Sequence, residues 1–100
     1  GIQPISTEIP LDFSLSQNYP NPFNPSTIIR FDISGTSKAK TSLIVYDLLG
    51  REVTVLVNEQ LAPGEYSVSF NAANYPSGIY YYKLSTGGDF SETRKMVMVK

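Results

Sequence analysis

One hundred residues, 41% of them hydrophobic, suffice for one domain whose core takes about two thirds of the unfolded chain's surface out of water, and leave no room for two. Eight basic and nine acidic side chains, scattered singly for a net charge of −1, generate no field that would recruit nucleic acid or an anionic membrane. Cysteine and histidine are absent, which excludes disulfides, thiolate metal sites, the thiol nucleophile and the commonest general base.

No apolar run reaches the roughly 18 residues of a membrane span, and the first residues lack the charged and apolar regions of a signal peptide. No direct membrane insertion is expected, and the chain is read as either cytoplasmic or a piece whose signal lies elsewhere. Residues 1–12 mix Pro4 and Pro10 with polar and isolated apolar residues, the composition of a linker or lead-in from an upstream domain. The folded unit is expected over 13–100. Residues 19–25 then hold Pro20, Pro22 and Pro25 together with Asn21 and Asn24, a stiff chain of turns that suits a crossover between sheets.

From residue 27 to 34, Ile29, Phe31 and Ile33 alternate with Ile28, Arg30 and Asp32, the period of a half-buried strand with the first set inside. Residues 41–48 repeat the pattern, Leu43 and Val45 opposing Ile44 and Tyr46, and Asp47-Leu48-Leu49-Gly50 turns the chain into a strand over 51–57. Leu61-Ala62-Pro63-Gly64 predicts a second turn, followed by Tyr66, Val68 and Phe70 at alternate positions, and residues 71–78 predict a third. Over 77–86, Tyr80, Tyr82 and Leu84 are expected inside and Tyr81 outside. Thr86-Gly87-Gly88-Asp89 closes a tight turn into the last strand, 90–100. About seven short strands without a helical period describe an all-β, immunoglobulin-like antiparallel β-sandwich.

Catalytic chemistry is not expected. Serines are plentiful, but only a lysine is available as base and no motif surrounds one. The carboxylates form no calcium loop, Gly87-Gly88 belongs to a hairpin turn and cradles no phosphate, and Pro25 disqualifies Asn24-Pro25-Ser26 as a glycosylation acceptor. No cofactor and no metal is implied, and the chain is not read as an enzyme.

The last strand is different in kind. Arg94, Lys95 and Lys100 bracket Met96-Val97-Met98-Val99, a stretch that is apolar in the middle and basic at its ends. An edge strand protected by lysines accounts for it; so does a strand read by a receptor through main-chain pairing and its basic ends. Burial of Met96 and Met98 would leave Lys95, Lys100 and the exposed alternates to such a receptor.

Five segments together resemble the C-terminal sorting domain of type 9 (Por) secretion substrates in Bacteroidetes-like bacteria. They are Tyr19-Pro20-Asn21-Pro22-Phe23-Asn24-Pro25-Ser26-Thr27, Val45-Tyr46-Asp47-Leu48-Leu49-Gly50-Arg51-Glu52-Val53, Leu61-Ala62-Pro63-Gly64, Pro76-Ser77-Gly78-Ile79-Tyr80 and Arg94-Lys95-Met96-Val97-Met98-Val99-Lys100. The resemblance covers about residues 13–100. Residues 45–53 also resemble the immunoglobulin-like domain of flagellar hook-capping proteins, a likeness of shared sandwich architecture.

The resemblance implies a non-catalytic domain carried by a larger exported protein, recognised in the periplasm by an outer-membrane secretion translocon. It also implies removal by a sortase-like peptidase near residues 1–12, and a cargo released or attached at the cell surface. Its basic-apolar motif falls on Lys95, Met96, Val97, Met98, Val99 and Lys100, with Arg94 beside it. Tyr19 to Pro25, Gly50, Gly64, Gly78 and Tyr80 are its structural signature, Tyr80 acting much as a tyrosine corner does. The competing expectation is a carbohydrate-binding or adhesive sandwich appended to a secreted enzyme, with Tyr81 or Tyr75 as a stacking platform.

Overall fold

A computed structural model describes residues 1–6, 8–88 and 90–100, and these form eight β-strands with no helix. The strands are β1 (Ile2–Ser6), β2 (Ser14–Leu15), β3 (Ser26–Ile33), β4 (Ala39–Asp47), β5 (Glu52–Leu61), β6 (Gly64–Asn71), β7 (Gly78–Thr86) and β8 (Phe90–Met98). Two antiparallel sheets of four strands result, ordered β1-β6-β3-β2 and β5-β4-β7-β8. The expected β-sandwich is therefore the fold, with eight strands in place of about seven. Asp89, assigned to the last turn on sequence, lies outside the described residues, as does Thr7.

Alternation builds the core as the sequence requires. Ile29, Phe31 and Ile33 of β3 and Val68 and Phe70 of β6 face Leu43 and Val45 of β4 and Tyr80, Tyr82 and Leu84 of β7 in one buried cluster. The β4–β5 turn is set by Asp47. Its amide donates to the Arg51 carbonyl, the Gly50 amide donates back to the Asp47 carbonyl, and Asp47 Oδ1 accepts from the amides of Leu49 and Arg51 at 2.9 Å each. Gly50 closes the three-residue loop at φ 82°, a conformation that disfavours any side chain.

Two elements depart from the expectation. Residues 2–6, within the segment read as a lead-in, form edge strand β1 against β6, with Ile2 opposite Val68 and Pro4 opposite Tyr66; an edge strand tolerates Pro4 because one row of its amides has no ladder partner. Residues 19–25, read as a crossover between sheets, instead connect β2 to β3, neighbours in the same sheet. Between its two ends the segment reaches the second sheet, bridging to Met98 at Phe23 without forming a strand of its own there.

Tyr80 and Tyr66 are anchored alike. The Tyr80 hydroxyl donates to the Pro76 carbonyl at 2.5 Å and the Tyr66 hydroxyl to the Ala62 carbonyl at 2.6 Å, each four residues upstream, with Gly78 and Gly64 two residues before the ring. Gly64 sits at φ 157°, and a Cβ there would stand 3.1 Å from the Ser6 carbonyl oxygen, so the glycine also lets β1 approach.

Candidate functional site: the last strand and the segment that covers it

β8 continues the alternation of β7 with opposite consequences for its two sets of side chains. Met96 and Met98 are 0% exposed and belong to the core. Arg94 faces Tyr82 in the ladder and points across the open side of the sandwich, where its Nε donates to the Leu15 carbonyl at 2.6 Å and its guanidinium pairs with Glu92 at 2.9 Å. Phe90 stacks on Phe13 with centroids 5.8 Å apart. On the other side, Lys95 is exposed, Val97 half-buried and Val99 46% exposed. Lys100, also exposed, brings its ammonium to 3.5 Å from the Ala73 carbonyl, at the outer limit of a hydrogen bond. Of the seven residues expected to be read by a receptor, Met96 and Met98 are thus inside and Arg94 is engaged within the fold.

β8 is the outermost strand of its sheet, yet its free edge is occupied. Gln17 Nε2 donates to the Lys95 carbonyl at 2.7 Å, the Val97 amide donates to Asn21 Oδ1 at 3.0 Å, the Phe23 amide donates to the Val97 carbonyl at 3.0 Å, and the Val99 amide donates to the Phe23 carbonyl at 2.9 Å. Phe23 therefore forms a parallel bridge with Met98. Its own ring is buried edge-on to Phe70, 6.0 Å between centroids. Residues 17–23 are a strap that finishes the edge of the last strand.

A buried polar cluster holds the strap in place. The Tyr82 hydroxyl donates to the Ser16 carbonyl at 2.7 Å and accepts from the Asn18 amide at 2.8 Å. Asn18, 2% exposed, donates through Nδ2 to Thr27 Oγ1 at 3.0 Å and the Pro20 carbonyl at 3.2 Å, while its Oδ1 accepts from Gln17 Nε2 at 2.6 Å. Thr27 Oγ1 donates to Pro20 at 2.9 Å. Burial pushes the Tyr82 hydroxyl above the usual tyrosine pKa, although its hydrogen bond to the Asn18 backbone and the nearby Arg94 pull the other way. Satisfied polar clusters of this kind fix one arrangement, because each member left alone would cost its desolvation.

The other signature residues are placed by this unit or by turns. Tyr19 is 80% exposed and exchanges two backbone hydrogen bonds with Ile28, at 3.0 and 2.9 Å; the bonds preceding Pro20, Pro22 and Pro25 are all cis. Asn24 is exposed. Asn18 and Thr27 bound the proline-rich stretch and Tyr82 was expected inside, but a polar cluster joining them, with Gln17 beside it, was not foreseen from sequence. A single asparagine before a proline run was the available signal, but its burial depends on a tyrosine 64 residues away.

Tyr81 lies half-buried on the outer face of the second sheet, and Tyr75 stacks on Phe70 with centroids 6.0 Å apart. Among the described residues no group of three or more Asp or Glu is placed to hold a metal.

Two of the five segments that carried the resemblance, Tyr19 to Thr27 and Arg94 to Lys100, are one physical object, joined by three hydrogen bonds with a fourth from the adjoining Gln17. No curated protein matches the chain. The family model of the secretion system C-terminal sorting domain matches residues 17–100, beginning at the first residue of the strap and running through β8. With the strap and strands β3 to β8 all inside that match, and only β1 and β2 before it, the chain belongs to the family of type 9 secretion C-terminal sorting domains.

Proposed function

We propose that this domain carries an attached protein through the type 9 system by presenting the solvent-side residues of its last strand, Lys95, Val97, Val99 and Lys100, to the outer-membrane translocon. Sorting for export, to the cell surface or beyond it, follows from family membership; the route is the finer part of the reading. In it, the cargo is fused upstream, passes through the periplasm with the sorting domain folded, and is separated from it by a sortase-like peptidase near residues 1–12, for release or surface attachment. Within that stretch Ile9 and Leu11 are exposed, at 63% and 95%, which suits a peptidase better than β1 does. The domain itself acts as a non-catalytic address.

One observation carries the reading. β8 divides its residues between two tasks, Met96 and Met98 filling the core while Lys95, Val97 and Val99 stay at the surface. Lysines that guard an open strand edge would give the same pattern, but the edge of β8 is already covered by Gln17, Asn21 and Phe23, so edge protection does not account for the pairing of basic and apolar side chains on its outer side. A cargo fusion lacking residues 97–100 should accumulate in the periplasm, and so should a Lys95→Glu, Lys100→Glu variant whose folding is intact by circular dichroism. Wild-type levels of both at the cell surface would contradict the assignment.

A further inference from the structure

A partner can read a sheet by extending its edge or by covering its face. The edge of β8 is closed over residues 95–99 by Gln17, Asn21 and Phe23. The opposite edge, β5, is broken by two register shifts against β4 and carries Glu52 and Glu59; bulges and charges of this kind discourage strand addition. Neither edge of the second sheet offers an uninterrupted row of main-chain donors and acceptors.

The face does offer a surface. The ladders align Tyr46, Tyr81 and Lys95 in one row, Ile44, Lys83 and Thr93 in the next, and Ile79 with Val97 beyond. Val55, opposite Ile44 and 44% exposed, and Val99 widen the patch. Ile44, Tyr46, Ile79, Tyr81 and Val97 are only half-buried, and Lys83 and Lys95 stand exposed among them. Glu52, opposite Tyr46, lies at the far margin on β5. An apolar strip interrupted by two ammonium groups matches a protein surface of aliphatic or aromatic side chains flanked by carboxylates: the apolar part supplies burial, and the charges supply orientation.

We infer that the outer face of the β4-β7-β8 sheet, with Tyr81 and Lys83 at its centre and Lys95 on β8, is the docking surface for an apolar, carboxylate-bearing component of the export machinery. This rests on the sorting reading above and extends it from one strand to three. Recognition is then of a folded face, and Tyr81 and Lys83, which lie outside the terminal motif, contribute as much as Lys95.

The test uses the full domain on its cargo. Tyr81→Ser and Lys83→Glu, singly and together, should each lower surface-displayed cargo about tenfold or more, as loss of an interface anchor does. Arg30→Glu and Ser69→Glu, on the outer face of the other sheet, should leave it unchanged. A photocrosslinking residue at position 83 should trap an outer-membrane export protein in cells, and one at position 69 should not; this readout survives even if a substitution impairs folding. Normal export of the folded double variant, or crosslinks from position 83 only to lipopolysaccharide or cargo, would overturn the face assignment. If removal of residues 97–100 still blocks export, the sorting reading stands without it; if export continues after that removal as well, the sorting reading fails.

Discussion

The two edges of the second sheet are finished by different means. On β5, local devices suffice: two bulges and two exposed carboxylates interrupt a strand that, among the described residues, pairs only with β4. On β8, the chain brings a distant segment across the sandwich and pins it with a buried cluster around Asn18 and Tyr82. The difference teaches what the proline-rich segment is for. β8 carries Lys95, Val97 and Val99 on its solvent side, and if these are what the translocon reads, as proposed, its edge protection has to come from elsewhere in the chain.

The contrast can be broken most forcefully from inside. Met96→Ala removes a fully buried side chain and should cost about 2–5 kcal/mol in denaturant unfolding, whereas Val99→Ala, at the solvent side of the same edge, should stay within about 0.5 kcal/mol. Next comes the cluster. Asn18→Ala removes the donor to the buried Thr27 hydroxyl and should cost about 1–3 kcal/mol; because the strap loosens, that loss should be accompanied by faster exchange of the Val97 amide, which a global effect of the same size would not single out.

The β5 side should respond less in stability and more in association. Glu52→Ala with Glu59→Ala should change unfolding free energy by no more than about 0.5 kcal/mol while raising self-association in sedimentation, since charges on an edge act against pairing. Smallest of all is the acid response of the β4–β5 turn. Hydrogen bonds from the Arg51 backbone, with the Arg51 guanidinium adding to them, hold the Asp47 carboxyl below its ordinary range. A depressed folded-state value means the turn is supported above the usual carboxylate pKa and loses that support as pH falls through the lower, folded one. Asp47→Asn should therefore flatten the stability profile below about pH 4 and leave it unchanged near neutrality apart from a constant offset.

Much of this architecture was legible in the residues. Ile29, Phe31 and Ile33, or Tyr80, Tyr82 and Leu84, announce a buried face by spacing alone, and Asp47 to Gly50 carries the chemistry of its turn within four residues. β1 escaped because Pro4 and a polar surround look like a linker, and only pairing with β6, some 60 residues on, makes a strand of it. The strap escaped for the same reason. Its prolines were visible, but its partner was not, because hydrogen bonds to residues 95–99 are set by topology and leave no periodic mark. Arg94 is the sharpest case: as a basic residue beside an apolar run it was read as part of an exposed address, and its reach to the Leu15 carbonyl depends on β2 lying opposite.

The central claim is that strap and last strand form one closed unit, and hydrogen exchange at single amides tests it most directly. The Val97 and Val99 amides point away from β7, on the outermost strand of their sheet, so without a partner they should exchange like exposed edge groups. Bonded to Asn21 and Phe23, they should instead be protected to nearly the level of the β7 amides and lose that protection together in Asn18→Ala. Rapid exchange of both in the unaltered domain would contradict the account.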